Sequence, residues 1–171
     1  MACGERYGQA MHFVVRDAES DDTPFIIEMA REASTIEDRP LPTADSAVVR
    51  AALPRCARAA VIGESPDRAR LGAAWWHWHD PPLACDFEGR PLPEMVIAVR
   101  AEQRGHGVGT ALIEALAVRV GGQFPSIVVN VHIRNPAACL YSRMGFTVMG
   151  KGRGPLGVAM KRDLPTPPPP G

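Results

Sequence analysis

The amino-acid sequence predicts a single-domain α/β fold, with a mixed central β-sheet of about seven strands flanked by about four helices. Three observations carry this. Short apolar runs of strand type alternate with longer amphipathic runs of helical period. A glycine-rich segment, Gln103-Arg104-Gly105-His106-Gly107-Val108-Gly109-Thr110, joins the apolar run 95–99 to a helical run ending near Val120. At 171 residues the chain is one domain by length, large enough to bury about two-thirds of its unfolded surface.

Residues 1–11 read as a polar extension, with Met11 an alternative start, so the domain is expected over 12–164. Residues 12–16 read as the first strand. Asp22-Thr23-Pro24 opens a helix through Ala33, with proline in its first turn and Phe25, Met29 and Ala33 on one face. A loop with Pro40 and Pro42 leads to a short helix over 44–53. Residues 59–63 and 71–77 read as paired strands turning over Ser65-Pro66-Asp67-Arg68. The proline-bearing loop 80–93 is expected to be irregular and exposed. Strand four, 95–99, feeds the glycine-rich turn and helix three, and residues 127–131 form strand five. Residues 146–149 and 157–161 read as a last strand pair around the glycine-rich connection 151–157. The segment 165–171 holds five prolines; it cannot pack as helix or central strand, and disorder is expected there.

A strand that feeds a glycine-rich turn opening a helix is a device for holding phosphate. The first helical N–H groups lack internal partners, and the helix dipole adds partial positive charge. Glycine removes a Cβ between backbone and ligand and permits turn dihedrals that other residues avoid. The spacing excludes the common nucleotide loops. No Lys-Ser or Lys-Thr pair closes it, and the third glycine of the dinucleotide fingerprint is missing.

A second motif lies downstream of strand five: Asn135-Pro136-Ala137-Ala138-Cys139-Leu140-Tyr141-Ser142-Arg143-Met144-Gly145-Phe146. It reads as a short helix with Asn135 as N-cap, Pro136 at the first helical position and Gly145 at the left-handed C′ position. Ala137, Leu140, Tyr141 and Met144 share one face.

Together the two motifs resemble the GCN5-related N-acetyltransferase (GNAT) superfamily. Its acetyl-coenzyme A signature is Arg/Gln-x-x-Gly-x-Gly/Ala after the fourth strand and Asn-x-x-Ala-x-x-x-Tyr-x-x-x-Gly-Phe after the fifth. Arg104 to Gly109 match the first, and Asn135, Ala138, Tyr141, Gly145 and Phe146 match the second at every spacing. The resemblance spans about 13–164, although the N-terminal third matches only in element order. It implies the acyl-CoA N-acyltransferase fold with the sheet splayed between strands 4 and 5, and acetyl-coenzyme A held in the splay as co-substrate.

From that resemblance follow the expected roles. Amides and side chains of Arg104, Gly105, His106, Gly107, Val108, Gly109 and Thr110 cradle the diphosphate. The edge of Ile97, Ala98 and Val99 binds the pantetheine arm and polarises the thioester. Asn135, Ala138, Tyr141 and Arg143 complete the coenzyme contacts. Tyr141 is the expected general acid, because a phenol with a reference pKa of about 10 suits a departing thiolate. Glu94, which begins strand four, is the expected base or acceptor contact. Trp76 and His77 are weaker acceptor-site candidates, with His79 beside them. The H-x-H-D cluster lacks a third and fourth ligand at useful spacing, so no metal is expected.

The implied activity is transfer of an acetyl group to a primary amine, either a small molecule or a peptide or protein amine. A non-catalytic acyl-CoA-binding module and a toxin-type aminoacyl-tRNA acetyltransferase are the other readings. Acylation of a hydroxyl, or with a longer acyl chain, depends on pocket shape. Nineteen basic and nineteen acidic residues supply no broad positive field, which disfavours nucleic acid. Cys3, Cys56, Cys85 and Cys139 form no C-x-x-C pair and read as reduced thiols. No run approaches the roughly twenty apolar residues a bilayer span needs, so no membrane is involved and a cytoplasmic location is expected. A homodimer is compatible with the varied dimers of the superfamily.

Overall fold

The computed structural model describes residues 12–35 and 40–165. The expected extension 1–11 and the tail from 166 onward lie outside the described residues. The elements run β1 (Val14–Asp17), α1 (Thr23–Ala33), α2 (Ala47–Ala52), β2 (Ala60–Glu64), β3 (Arg70–His77), β4 (Glu94–Val99), α3 (Val108–Gly121), β5 (Ser126–His132), α4 (Ala137–Arg143), β6 (Thr147–Lys151) and β7 (Gly157–Asp163). This is the expected order. Helix α2 is shorter than the expected 44–53 because a turn consumes its start: the Ser46 N–H donates to the Thr43 carbonyl at 3.1 Å and Ser46 is extended.

One sheet holds the strands in the order β1-β2-β3-β4-β5-β7-β6. All neighbours are antiparallel except β4 and β5, which run parallel. Helices α1 and α2 cover one face, where Phe25, Ile26, Met29 and Val49 pack on Ile62, Ala73 and Trp75. The Trp75 indole N–H also donates to the Ala52 carbonyl at 2.6 Å, pinning the end of α2 to β3. Helix α3 covers the other face, burying Leu112, Ile113, Leu116 and Val120 against Ile127, Val129 and Val131. Alternation of side chains along each strand lets one sheet serve both layers.

A charged knot ties β1, β2, β3 and the start of α1. Asp22, 1% exposed, accepts from Arg16 Nη1 at 2.7 Å, Arg70 Nε at 2.5 Å and the Glu19 amide at 2.8 Å. Burial alone would raise the Asp22 carboxyl, but these hydrogen bonds hold it well below the usual carboxylate range. Arg16 also donates to Glu64 at 2.8 Å.

Candidate active site

The parallel strands β4 and β5 meet at a single register pair, Glu94 opposite Val128, with the Val128 N–H donating to the Pro93 carbonyl at 3.0 Å. Beyond that pair they diverge into a V open at their C-terminal ends. The antiparallel ladders on either side decide which main-chain groups point into it. Arg100 N–H donates to the Leu71 carbonyl at 2.9 Å, which continues the β3–β4 register. Hydrogen-bonded pairs alternate along such a ladder, so Ala98 and Val96 face β3, whereas Ile97 and Val99 present their N–H and C=O groups to the gap. By the same rule, the Ile133 N–H to Leu156 carbonyl bond of 2.8 Å turns Asn130 and His132 of β5 toward the gap. Of the three expected edge residues, Ala98 thus has its main-chain groups committed to β3. The side chains of Ile97 and Val99 pack toward α3 and that of Ala98 toward α1.

Helices α3 and α4 both start at the mouth of this V. Gly105 and Gly107 have φ of +77° and +85°, with open space where a Cβ would stand, so glycine is required here for backbone direction and leaves the approach unobstructed. Among the described residues, the main-chain N–H groups of Gly105, His106, Gly107, Val108, Gly109 and Thr110 donate to no protein acceptor. His106 and Thr110 are exposed beside them. Gly109 has another role than ligand approach: it lies within α3, and a Cβ there would come within 3.2 Å of Leu140. Its absence lets α4 pack closely on α3. The Arg104 guanidinium turns back, Nε donating to the Val99 carbonyl at 3.1 Å, while Arg143 is exposed on α4.

The second motif is a capping device at both ends. Asn135 Oδ1 accepts the Ala137 N–H at 2.9 Å, the bond of an N-cap residue. Helical hydrogen bonding is assigned from Ala137, and Pro136 already has helical dihedrals. At the other end Gly145 has φ +85°, Gly145 N–H donates to the Ser142 carbonyl at 3.2 Å, and Phe146 N–H donates to the Tyr141 carbonyl at 3.0 Å. This is a Schellman motif, completed by contact between the Tyr141 and Phe146 rings, 5.7 Å apart. The Tyr-x-x-x-Gly-Phe spacing is thus a helix stop that fixes the tyrosine ring. Burial pushes the Tyr141 phenol up to about 12. Its hydroxyl makes no hydrogen bond to another described residue. Ala138 lies half-buried on the same helix.

On the α1 and α2 side, at the closed end of the V, Glu94 is buried opposite His77 in register. Both Glu94 oxygens lie 2.6 Å from Arg153 Nη1. Desolvation lowers the His77 pKa below the ordinary imidazole value, and its Nδ1 has no partner among the described residues. Trp76 points to the opposite face, its ring 5.4 Å from both Trp78 and Phe124. It therefore does not join His77 and Glu94. No cluster of three or more His, Cys, Asp or Glu positioned to hold a metal occurs among the described residues.

Residues 69–148 match the acetyltransferase (GNAT) domain model. Among solved structures, a GCN5-related N-acetyltransferase from Kribbella flavida is 26% identical, with a TM-score of 0.65 over 89% of this chain and 98% of that one. Over residues 69–148 the chain carries a GNAT acetyltransferase domain. Two other structures share the fold. One is yncA from Salmonella typhimurium, solved with its cofactor acetyl-CoA, at 18% identity and a TM-score of 0.64 over 94% of this chain and 98% of that one. The other is a GNAT phosphinothricin acetyltransferase from Sinorhizobium meliloti in complex with AcCoA, at 23% identity and a TM-score of 0.63 over 90% of this chain and 89% of that one. No curated protein matches the sequence significantly.

Sequence reasoning missed two residues of this candidate site. Asn130 lies on the face of β5 opposite Ile127, Val129 and Val131, and its Oδ1 accepts the Arg153 N–H at 2.9 Å. Arg153 sits in the β6–β7 loop. The available signal was the glycine density of 150–157: a Cβ at Gly152 would overlap Asn130 Oδ1, and one at Gly157 would overlap the Arg153 carbonyl. No helix among the described residues is long and apolar enough to cross a membrane.

Proposed function

We propose that this chain is an acetyl-coenzyme A-dependent N-acetyltransferase that transfers the acetyl group directly to a primary amine. The observation that carries the reading is the V between β4 and β5, with inward main-chain groups at Ile97 and Val99 and, at its mouth, six amides that have no partner among the described residues. A diphosphate on the amides of Gly105 to Thr110 would take the place of missing intrahelical partners. The pantetheine arm then runs into the V as a pseudo-strand, Ile97 and Val99 pairing with it on one side, Asn130 and His132 facing it on the other. Coenzyme A complexes of the Salmonella and Sinorhizobium structures, which share this fold, support the same ligand here.

In the reaction the acceptor nitrogen bonds to the acetyl carbonyl carbon and the carbon–sulfur bond breaks. One proton leaves the nitrogen and one reaches the sulfur. Tyr141 is the general acid. Its raised pKa keeps the phenol protonated across working pH, and the proton moves only once charge has built on sulfur. The phenolate left behind is a strong base and recovers its proton from water. Glu94 receives the acceptor amine and takes its proton, directly or through water. The binding step is tested by calorimetry with coenzyme A and acetyl-coenzyme A on the purified chain; absence of association with either overturns the reading. Free thiol release with acetyl-coenzyme A and an amine library tests the chemistry.

A further inference from the structure

We propose that the acceptor amine carries its own carboxylate, as an amino acid does, and that Arg153 is the specificity-determining residue that binds it. This rests on the acetyltransferase reading above and names the acceptor class.

Arg153 and Glu94 set one positive and one negative group side by side at the closed end of the V, 2.6 Å apart. The two differ in how they are held. Glu94 has the guanidinium as its partner. Arg153 has anchors of its own: Nη2 donates to the Pro81 carbonyl at 3.2 Å and the main-chain N–H to Asn130 Oδ1 at 2.9 Å. The glycines at 152 and 157 allow the loop to fold this tightly. A ligand that draws Glu94 away would leave the guanidinium in place.

Access points the same way. The Arg153 side chain is 27% exposed and that of Glu94 9%, so a ligand meets the arginine first. Arg153 Nε donates to no acceptor among the described residues, which leaves an open position on the planar fork that pairs well with a carboxylate. His77, across from Glu94, is buried, and desolvation favours its neutral form. A simple ammonium ion approaching Glu94 would therefore face the adjacent guanidinium charge without compensation. A zwitterion places its ammonium on Glu94 and its carboxylate on Arg153, exchanging one ion pair for two.

The test uses matched pairs: leucine and isopentylamine, phenylalanine and phenethylamine, alanine and ethylamine. Each is assayed by thiol release from acetyl-coenzyme A and by equilibrium binding to the coenzyme A-loaded full chain. The expected result is a KM at least about tenfold lower for the carboxylated member of at least one pair. R153Q should raise that KM and bring the ratio within the pair toward one, and R153K should restore part of it. Amines that match or outperform their amino acids in every pair overturn the proposal. So does a ratio that R153Q leaves unmoved, or a panel in which no amino acid turns over or binds. Coenzyme A titration of the same protein separates the two failures: coenzyme A binding without carboxylate preference defeats this inference alone, and absent coenzyme A binding defeats the parent reading.

Discussion

Replacing Tyr141 with phenylalanine removes one oxygen from a ring that the fold otherwise holds in place. The ring is buried and lies 5.7 Å from Phe146, and the Schellman hydrogen bonds that fix it are main-chain bonds. Since the hydroxyl makes no hydrogen bond to another described residue, Y141F should change stability at neutral pH by no more than about 0.5 kcal/mol. Loss of a general acid should lower kcat about 10²- to 10⁴-fold, or about 3–5 kcal/mol of transition-state stabilisation, with coenzyme A affinity nearly unchanged. The assay is thiol release, blanked for the exposed Cys56, Cys85 and Cys139.

Alkaline stability provides an independent reading. The phenol rises from 10.0 in the unfolded reference to about 12 when folded, with burial as the cause. The neutral form is thus favoured by folding. The associated stability is fully present below about pH 10 and lost as pH rises through about 12, on the order of 3 kcal/mol in all. Y141F should lack that slope. Unchanged kcat in Y141F, or equal loss of kcat and coenzyme affinity, refutes the acid role; a wild-type Tyr141 that titrates near 10 refutes the burial argument.

Two further substitutions probe the frame and the loop. D22N removes the buried anion that Arg16 and Arg70 share and should cost about 3 kcal/mol by denaturant unfolding at pH 7. Because the Asp22 pKa is lowered on folding, its contribution is present above about pH 4 and fades as pH falls; the gap between wild type and D22N should narrow in acid, and a constant gap from pH 7 to 3 contradicts the assignment. G107A meets open space, so its cost is the strain of φ +85°, about 1 kcal/mol. The loop then relaxes away from the cradle geometry, and calorimetry should show coenzyme A affinity falling at least about fivefold while Tm drops only a few degrees; unaltered affinity argues against the amide cradle.

Legibility in the sequence followed the range of the interaction. The α4 motif was readable in full because N-cap, first-turn proline and left-handed glycine act within a few residues, and the structure returns each at its position. The turn before α3 was readable for the same reason, although Gly109 proves to serve packing on Leu140. Helix α2 was drawn too long, since an unremarkable turn at 43–46 leaves little trace in composition. Trp76 and His77 are adjacent, so strand alternation sends them to opposite faces; the sequence offered no means of choosing which face meets Glu94.

Sequence alone determined the element order, the glycine-rich turn into α3, and the capped helix that carries Tyr141, because each depends on local dihedral and capping preferences. Only the tertiary structure decided that β4 and β5 share a single register pair and part beyond it, that Ile97 and Val99 turn their main-chain groups into that opening, and that Arg153 reaches Glu94 across 59 positions. Those are consequences of strand register and loop closure, set by the packing of the whole sheet between its helices, which no short stretch of residues encodes.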